Sequence, residues 1–317
     1  MRKAALVYNP ASGGSKQRQS DLEAALAVLR QAGVEADLVP TQSPEHALEE
    51  TRRSIDSGCD TIFACGGDGT IHNLIQVLAN SPAALAVLPL GTANALAHDL
   101  ALPLKVVAAA KASLGFSPRR VALGRVNYSD LQGNPGTRYF VVAAGVGVDA
   151  HLFYKLHTGT KQRMGMAAYY AKAWHLWFSY PMTRFVAELP PADRGEPYRA
   201  EVTELMAVRI RNFGGVLQEL APGASLDRDD LRVVSCRTAS RLAYLAYVTR
   251  GLLRLRTKIS GIDLVYSNSV SCTYREPSKQ SSEQRKIYVE ADGELLGTLP
   301  AQITVVPNAL TLLAPSR

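Results

Sequence analysis

The chain has 317 residues, of which 47% are hydrophobic and 20% charged, and its formal net charge is +7. That composition excludes a disordered chain, and the length suggests two domains with cores of their own. No apolar run reaches the roughly 18 residues that a membrane-spanning helix requires, so a cytoplasmic protein is expected, and the excess of cations favours anionic partners such as nucleotides or acidic membrane surfaces.

The start, "MRKAALVYNP", has too short an apolar part for a signal peptide and reads as a first strand, "KAALVYN". Ser20 to Ala32 has helical spacing, with Leu22, Leu26 and Leu29 on one face. "EADLVPT" is strand-like, and Pro44 to Ser57 is a helix stopped by Gly58. "DTIFACGG" is a strand, Thr70 to Leu78 a helix, "ALAVLPLG" a strand, and Ala93 to Leu100 opens another helix. Strands and helices in alternation predict a parallel sheet of Rossmann type covered on both faces. Such sheets bind ligands at the carboxyl ends of their strands.

From Val121 onward strands dominate: "RVALGRVNY", "RYFVVAAGVGVD", "TRFVAEL", "EVTELMAVRIRNF", "DLRVVSC", "IDLVYSNSVSCTY", "RKIYVEADGE" and "QITVVPNALTLLAP". Two helical segments interrupt them, at Met164 to Ser179 and Ala239 to Leu255, and Arg275 to Lys286 reads as a polar loop. The expected organisation is an α/β domain over 1–120 and a β-rich domain over 121–307. The four cysteines, Cys59, Cys65, Cys236 and Cys272, lack metal-type spacing and read as reduced structural thiols.

Three glycine-rich turns follow predicted strands: "NPASGGS" (Asn9 to Ser15), "GGDGT" (Gly66 to Thr70) and "PLGTANAL" (Pro89 to Leu96). Glycine lets backbone N–H groups approach a phosphate closely. Three such turns at equivalent places should converge on one sheet edge and bind phosphate. The G-x-x-x-x-G-K-[ST] loop is absent and no good G-x-G-x-x-G opens the first helix, which disfavours a plain dinucleotide dehydrogenase. A carboxylate beside phosphates makes sense where a cation intervenes, so Asp68 is a candidate to orient Mg²⁺ or handle a proton. The alternative is a carboxylate that fixes the turn through backbone N–H groups.

"NPASGG", "GGDGT" and "LPLGTANALA", in that order, resemble the diacylglycerol kinase catalytic-domain family, which includes bacterial lipid kinases and sphingosine kinases. The likeness continues through "AAGVGVDA" and "EADGE" to "ITVVPNALTLLAP", so it spans nearly the whole chain. GGDGT alone is shared with NAD kinases. The resemblance implies an α/β nucleotide domain, a β-sandwich-like lipid domain with helical insertions, and a tail over 308–317 that returns to the first domain. It implies ATP and Mg²⁺ as cofactors and transfer of the γ-phosphate to a hydroxyl of diacylglycerol, a sphingoid base or a related lipid. By the same resemblance Asn9, Ser12, Gly13, Thr41, Gly66, Gly67, Asp68, Gly69, Thr70 and Thr92 bind nucleotide. Glu294 is the general base, with Asp68 also catalytic, and Asp149 meets the lipid head group. From the residues alone, "ADGE" is equally a type I′ hairpin turn with Asp292-Gly293 at its tip, and Asp149 a helix cap.

Four positions depart from the family pattern. Ala95 replaces an acid after Asn94, Asn73 stands where a glutamate is frequent, and His98 stands for arginine. In "GASLDRDDL", Arg228 occupies a position where bacterial relatives place an aspartate around a structural Mg²⁺, so no ion is predicted there and the metal ligands are left unassigned. Expected partners are the lipid and, peripherally, an anionic membrane surface, with a homodimer allowed and nucleic acid not expected because no module for it is recognisable. Two stretches, Lys155 to Tyr180 with Trp174 and Trp177, and Arg241 to Lys258, mix basic and apolar residues as interfacial helices do; the alternative is that both are core-packed helices with snorkelling cationic edges. The alternatives to a lipid kinase are an NAD kinase-like enzyme, which the "GTANALA" motif disfavours, and a non-catalytic binder of nucleotide or lipid.

Overall fold

A computed structural model describes residues 1–11, 16–148, 150, 182–190, 198–214, 220–253, 255, 257–275 and 286–315. The predicted helix at 164–179, its two tryptophans, and the loop at 276–285 lie outside the described residues. The chain divides into two compact units, the first Met1–Leu123, Asn212–Val216 and Val306–Arg317, the second Gly124–Arg211 and Leu217–Val305.

The first unit is built on the strands β1 (Lys3–Tyr8), β2 (Glu35–Pro40), β3 (Thr61–Gly66) and β4 (Ala84–Pro89). The helices between them are α1 (Lys16–Gln31), α2 (Pro44–Asp56) and α3 (Asp68–Leu78), followed by α4 (Ala95–Asp99) and α5 (Val106–Ser113). The strand order is β2-β1-β3-β4, all parallel, and Thr311 and Leu312 add a further parallel strand beside Ala84 and Leu85. Side-chain alternation sends Leu6, Phe63 and Leu88 into a core with Leu22, Ala25 and Leu29 of α1 and Ala109 and Ala110 of α5. Ile62, Ile71, Leu74 and Ile75 are also fully or almost fully buried, so β3 is apolar on both faces, as a sheet between two helical layers requires. Ser43 caps α2 by accepting from the His46 amide at 3.2 Å, and Pro44 occupies its first turn.

The second unit is antiparallel. Its strands are β5 (Ser117–Ser129, entered from the first unit), β6 (Pro135–Phe140), β7 (Ala143–Gly147), β8 (Phe185–Leu189), β9 (Tyr198–Val202) and β10 (Glu204–Val208). There follow β11 (Leu231–Cys236), β12 (Ile262–Ser267), β13 (Ser269–Tyr274), β14 (Tyr288–Ala291) and β15 (Glu294–Ala314). Strands β12-β11-β10-β7-β14-β15 form one path, and β13 joins β15 to β8 and β9. Phe140, Val146, Phe185, Leu205, Val233 and Val289 meet in its core. One helix, α6 (Arg241–Leu252), follows β11. All four cysteines are buried and unbridged, and burial pushes the Cys65 and Cys272 thiols well above the usual range.

The differences from expectation are local. Helix α3 starts two residues earlier, which puts Asp68 in its first turn, and α5 was not foreseen. The single strand expected over 138–149 is, among its described residues, two strands, β6 and β7, broken at Val141 and Val142. The 302–315 segment is part of a single 21-residue strand, β15, whose residues to Val305 belong to the second unit and whose remainder belongs to the first.

Gly124 on β5 faces Phe140 on β6, and a β-carbon there would be driven into the fully buried ring. Gly124→Ala should cost about 1–3 kcal/mol, seen as a lower urea midpoint. The double change with Phe140→Leu should recover part of that loss.

Candidate functional site

Because the first sheet is parallel, the segments following β1, β2, β3 and β4 all leave from its carboxyl edge. Asn9 forms a tight turn there, its Oδ1 accepting from the Ala11 amide at 2.9 Å. Ser12 and Gly13 lie outside the described residues. Thr41 is buried, and both its amide and its hydroxyl donate to the Tyr8 carbonyl, at 2.8 and 3.1 Å. Thr41 therefore ties the end of β2 to the end of β1.

The turns after β3 and β4 are in backbone contact. A β-carbon on Gly67 would stand 3.0 Å from the Gly91 Cα, and one on Gly91 would overlap the Gly67 Cα. Only glycine allows that approach. A β-carbon on Gly66 would overlap the Thr70 hydroxyl, so Thr70 folds back over the strand end. The Leu90 amide donates to the Gly66 carbonyl at 3.0 Å and continues the β3–β4 ladder to the brink of the turns.

Asp68 joins the two turns. Its Oδ1 accepts from the Ala95 amide at 2.8 Å, at the first residue of α4. This explains why an alanine serves at 95: the backbone N–H is the group used. Asn94 completes the arrangement in a left-handed conformation, φ 49°, with its Oδ1 accepting from the Gly91 amide at 2.9 Å and its Nδ2 donating to the Gly91 carbonyl at 2.8 Å. Thr92 is exposed at the tip of this turn.

Helix α3 begins at Gly67, which offers no side-chain cap, and the residues Gly66 to Thr70 are half-buried. The first amides of a helix have no intrahelical partner and carry partial positive charge. An uncapped start among glycines is therefore suited to an anion. At α4, the His98 ring packs on Gly214 and the Asp99 carboxylate accepts from the Asn212 amide at 2.9 Å, which pins that returning segment.

In the second unit, Asp292 and Gly293 both have positive φ, 49° and 81°, and connect β14 to β15 as a two-residue type I′ turn. The turn is not a solvated tip. The Asp292 carboxylate accepts from three successive amides, Val141, Val142 and Ala143, at 3.0, 2.8 and 3.1 Å. Its own amide donates to the Ala143 carbonyl at 2.8 Å, and the buried Glu290 accepts from the Gly293 amide at 2.8 Å. Glu294, half-buried, is the next residue and opens β15. Asp149 lies outside the described residues. Before it, Gly147 adopts φ 116° against Thr203 and Glu204, and the Val148 amide donates to the buried Glu204 carboxylate. Gly145, by contrast, is an ordinary residue within β7. The type I′ turn at Asp292-Gly293 is the one that the sequence offered, but its docking on the amides of 141–143 was not foreseen, and neither were the buried Glu290 and Glu204.

At 223–231, Arg228 clamps Asp230, with Nε 2.7 Å from Oδ1, and lies 4.0 Å above the Tyr266 ring. The fully buried Arg209 donates to the Asp230 carbonyl, and burial lowers its guanidinium to about 10 while Asp230 and Asp229 pull the other way. Guanidinium groups thus compensate the acids of this loop. Among the described residues no group of three or more His, Cys, Asp or Glu side chains is arranged to hold a metal.

Comparison with known proteins agrees with both halves of the chain. Residues 3–126 match the diacylglycerol kinase catalytic domain, and residues 141–314 the YegS C-terminal NAD kinase beta sandwich-like domain. The diacylglycerol kinase of Bacillus subtilis is 27% identical over 99% of this chain and 97% of its own length. That of Staphylococcus aureus is 26% identical over 99% and 93%. Among solved structures, a diacylglycerol kinase from Bacillus anthracis superposes with a TM-score of 0.68 at 18% identity, covering 99% of this chain and 96% of its own. Yeast NADH kinase complexed with NADH gives 0.52 at 11% identity, covering 99% and 84%. At these identities the structural matches establish fold only.

Replacing Asp292 with alanine leaves three amides without their acceptor. Each buried unpaired donor costs about 1–3 kcal/mol, so Asp292→Ala should destabilise the second unit by at least about 3 kcal/mol in urea denaturation. Asp292→Asn, which keeps an oxygen, should lie between alanine and the parent.

Proposed function

The chain belongs to the diacylglycerol kinase catalytic-domain family, and from that premise we propose that it is an ATP- and Mg²⁺-dependent lipid kinase. The acceptor is a hydroxyl of diacylglycerol, a sphingoid base or a related lipid. The observation that carries the reading is the joined pair of glycine turns at the carboxyl edge of the parallel sheet, with Asp68 spanning them.

In this reading the amides at the start of α3, together with the turn at 91–94, hold the nucleotide phosphates, and Gly66, Gly67 and Gly69 keep side chains out of their way. Asn9, Ser12, Gly13, Thr41, Thr70 and Thr92 complete the nucleotide contacts. The carboxylate that joins these turns, Asp68, fits a Mg²⁺ that is held chiefly by phosphates and water, since that ion rarely occupies an all-protein cage. Bound there, Mg²⁺ would neutralise phosphate charge as transfer proceeds. Glu294 accepts the proton of the acceptor hydroxyl, and the docked Asp292-Gly293 turn fixes where β15 begins and so where Glu294 stands. Asp149 meets the lipid head group, as an acceptor for hydroxyls or as a partner for an ammonium.

The test offers labelled ATP and Mg²⁺ to the intact protein with diacylglycerol, sphingosine and ceramide in micelles and with NAD in solution. Label is expected in a lipid. Label in NAD alone would assign the NAD kinase-like activity instead. ATP binding with no transfer would favour a non-catalytic nucleotide or lipid binder. Asp68→Asn retains an oxygen for the Ala95 amide, so it should abolish transfer with its melting temperature unchanged. Glu294→Gln should lower turnover about 10²–10⁴-fold with nucleotide affinity unaltered. An active Asp68→Asn protein, or a Glu294→Gln protein with full turnover, would remove the role assigned to that residue.

A further inference from the structure

Helix α4 is little more than one turn long, yet it is tied at both ends. At its first residue the Ala95 amide donates to Asp68 at 2.8 Å. At its last, the Asp99 carboxylate accepts from the Asn212 amide at 2.9 Å. Ala95, Leu96 and Ala97 are buried, and the His98 amide donates to the Asn94 carbonyl at 3.0 Å, so close packing makes α4 a stiff strut. Asn212 is fixed in its own turn, its Oδ1 accepting from the Gly214 amide at 2.9 Å.

Just before Asn212 the chain is gripped again. Arg209 and Ile210 are fully buried. The Arg209 amide donates to the Val142 carbonyl at 2.8 Å, and the Arg209 guanidinium donates to the Asp230 carbonyl. Val142 stands at the break between β6 and β7, and its own amide donates to Asp292 at 2.8 Å. Asp292 in turn sets the turn from which Glu294 opens β15. A continuous path therefore joins Asp68 to Glu294. Every hydrogen bond in it lies within one of the two units, and the chain itself, between Arg211 and Asn212, passes from one unit to the other. The bonds at Asp68, Asp99 and Asp292 end on carboxylates, and hydrogen bonds of that kind are the stronger ones. A ligand that orders one end of such a network orders the groups packed along it. We propose that Asp99 is a positioning residue through which phosphates held at the 91–95 turn order the 209–212 segment, the Val142 peptide and the Asp292-Gly293 turn, and so set Glu294. The proposal rests on the kinase reading of the glycine turns and of Glu294, and adds the link between them.

The test is hydrogen exchange of the full-length protein with and without MgATP, read in peptides spanning 91–95, 209–214 and 141–145. In the parent, MgATP should slow exchange in all three, by about fivefold or more in the two distant ones. In Asp99→Ala the slowing should persist at 91–95 and vanish from the other two. Its turnover on the lipid acceptor should fall about 10–100-fold with KM for MgATP unchanged. Asp99→Asn, which keeps an oxygen for the Asn212 amide, should restore both readings. A third variant inserts a pair of glycines after the exposed Arg211, which leaves each of these hydrogen bonds its partners and slackens the chain between them. It should behave as Asp99→Ala does, and it carries the test alone if Asp99→Ala fails to fold. Slowing confined to 91–95 in the parent would overturn the proposal, as would slowing at 141–145 that survives Asp99→Ala or the insertion. Slowing in none of the three peptides would remove the nucleotide site and the link with it. A parent slowed in all three that phosphorylates no lipid would keep the link and lose the lipid acceptor.

Discussion

Two backbone turns approach each other at Gly67 and Gly91 more closely than any side chain allows, and the Asp68 carboxylate holds them there. The rest of the first unit serves that approach. The parallel ladder from β1 to β4 brings the strand ends to one edge, and the buried apolar residues on both faces of β3 fix the sheet between its helices. Asn94, in its left-handed conformation, closes the second turn so that the Ala95 amide points at Asp68. Without that approach Gly67 and Gly91 would not have to be glycine.

The second unit uses the same device in another form. There a carboxylate collects three consecutive backbone amides, so the break between β6 and β7 and the turn between β14 and β15 become one rigid joint. Hydrogen bonds to an ionised acceptor are stronger than neutral ones, which suits a joint that must orient the residue after it. Glu294 is that residue. The loop at 223–231 follows a third variation, in which Arg228 and Arg209 compensate the local acids. In each case charge is matched within the chain and geometry is the product.

Much of the first unit was legible in the sequence because its signals are local. Apolar strands, helical spacing and glycine turns each occupy fewer than about twenty residues, and their order dictates a parallel sheet. Helix α5 escaped because "VVAAAKAS" is almost uniformly small and apolar, and so carries no contrast between faces. The three glycine turns were visible, but not their coupling: Asp68 and Ala95 are 27 positions apart, and the bond uses a backbone amide that any residue at 95 would supply. The run 138–149 read as one strand because every residue near Val141 and Val142 is apolar. Its break is imposed by Asp292, 150 positions away from Val142. Helix α6 turns Tyr244 and Tyr247 inward and leaves Leu242 exposed, which was equally hidden, since tyrosine and leucine both fit a buried face.

In the proposed kinase the turns at 66–70 and 91–95 are the phosphate cradle. Hydrogen exchange of the intact protein, followed by mass spectrometry with and without MgATP, tests this directly. A phosphate cradle at these turns predicts slowed exchange in the peptides spanning 66–70 and 91–95, and its loss in a Gly91→Ala protein that is still folded. Unchanged exchange in both peptides at saturating MgATP, with protection appearing elsewhere, would contradict it.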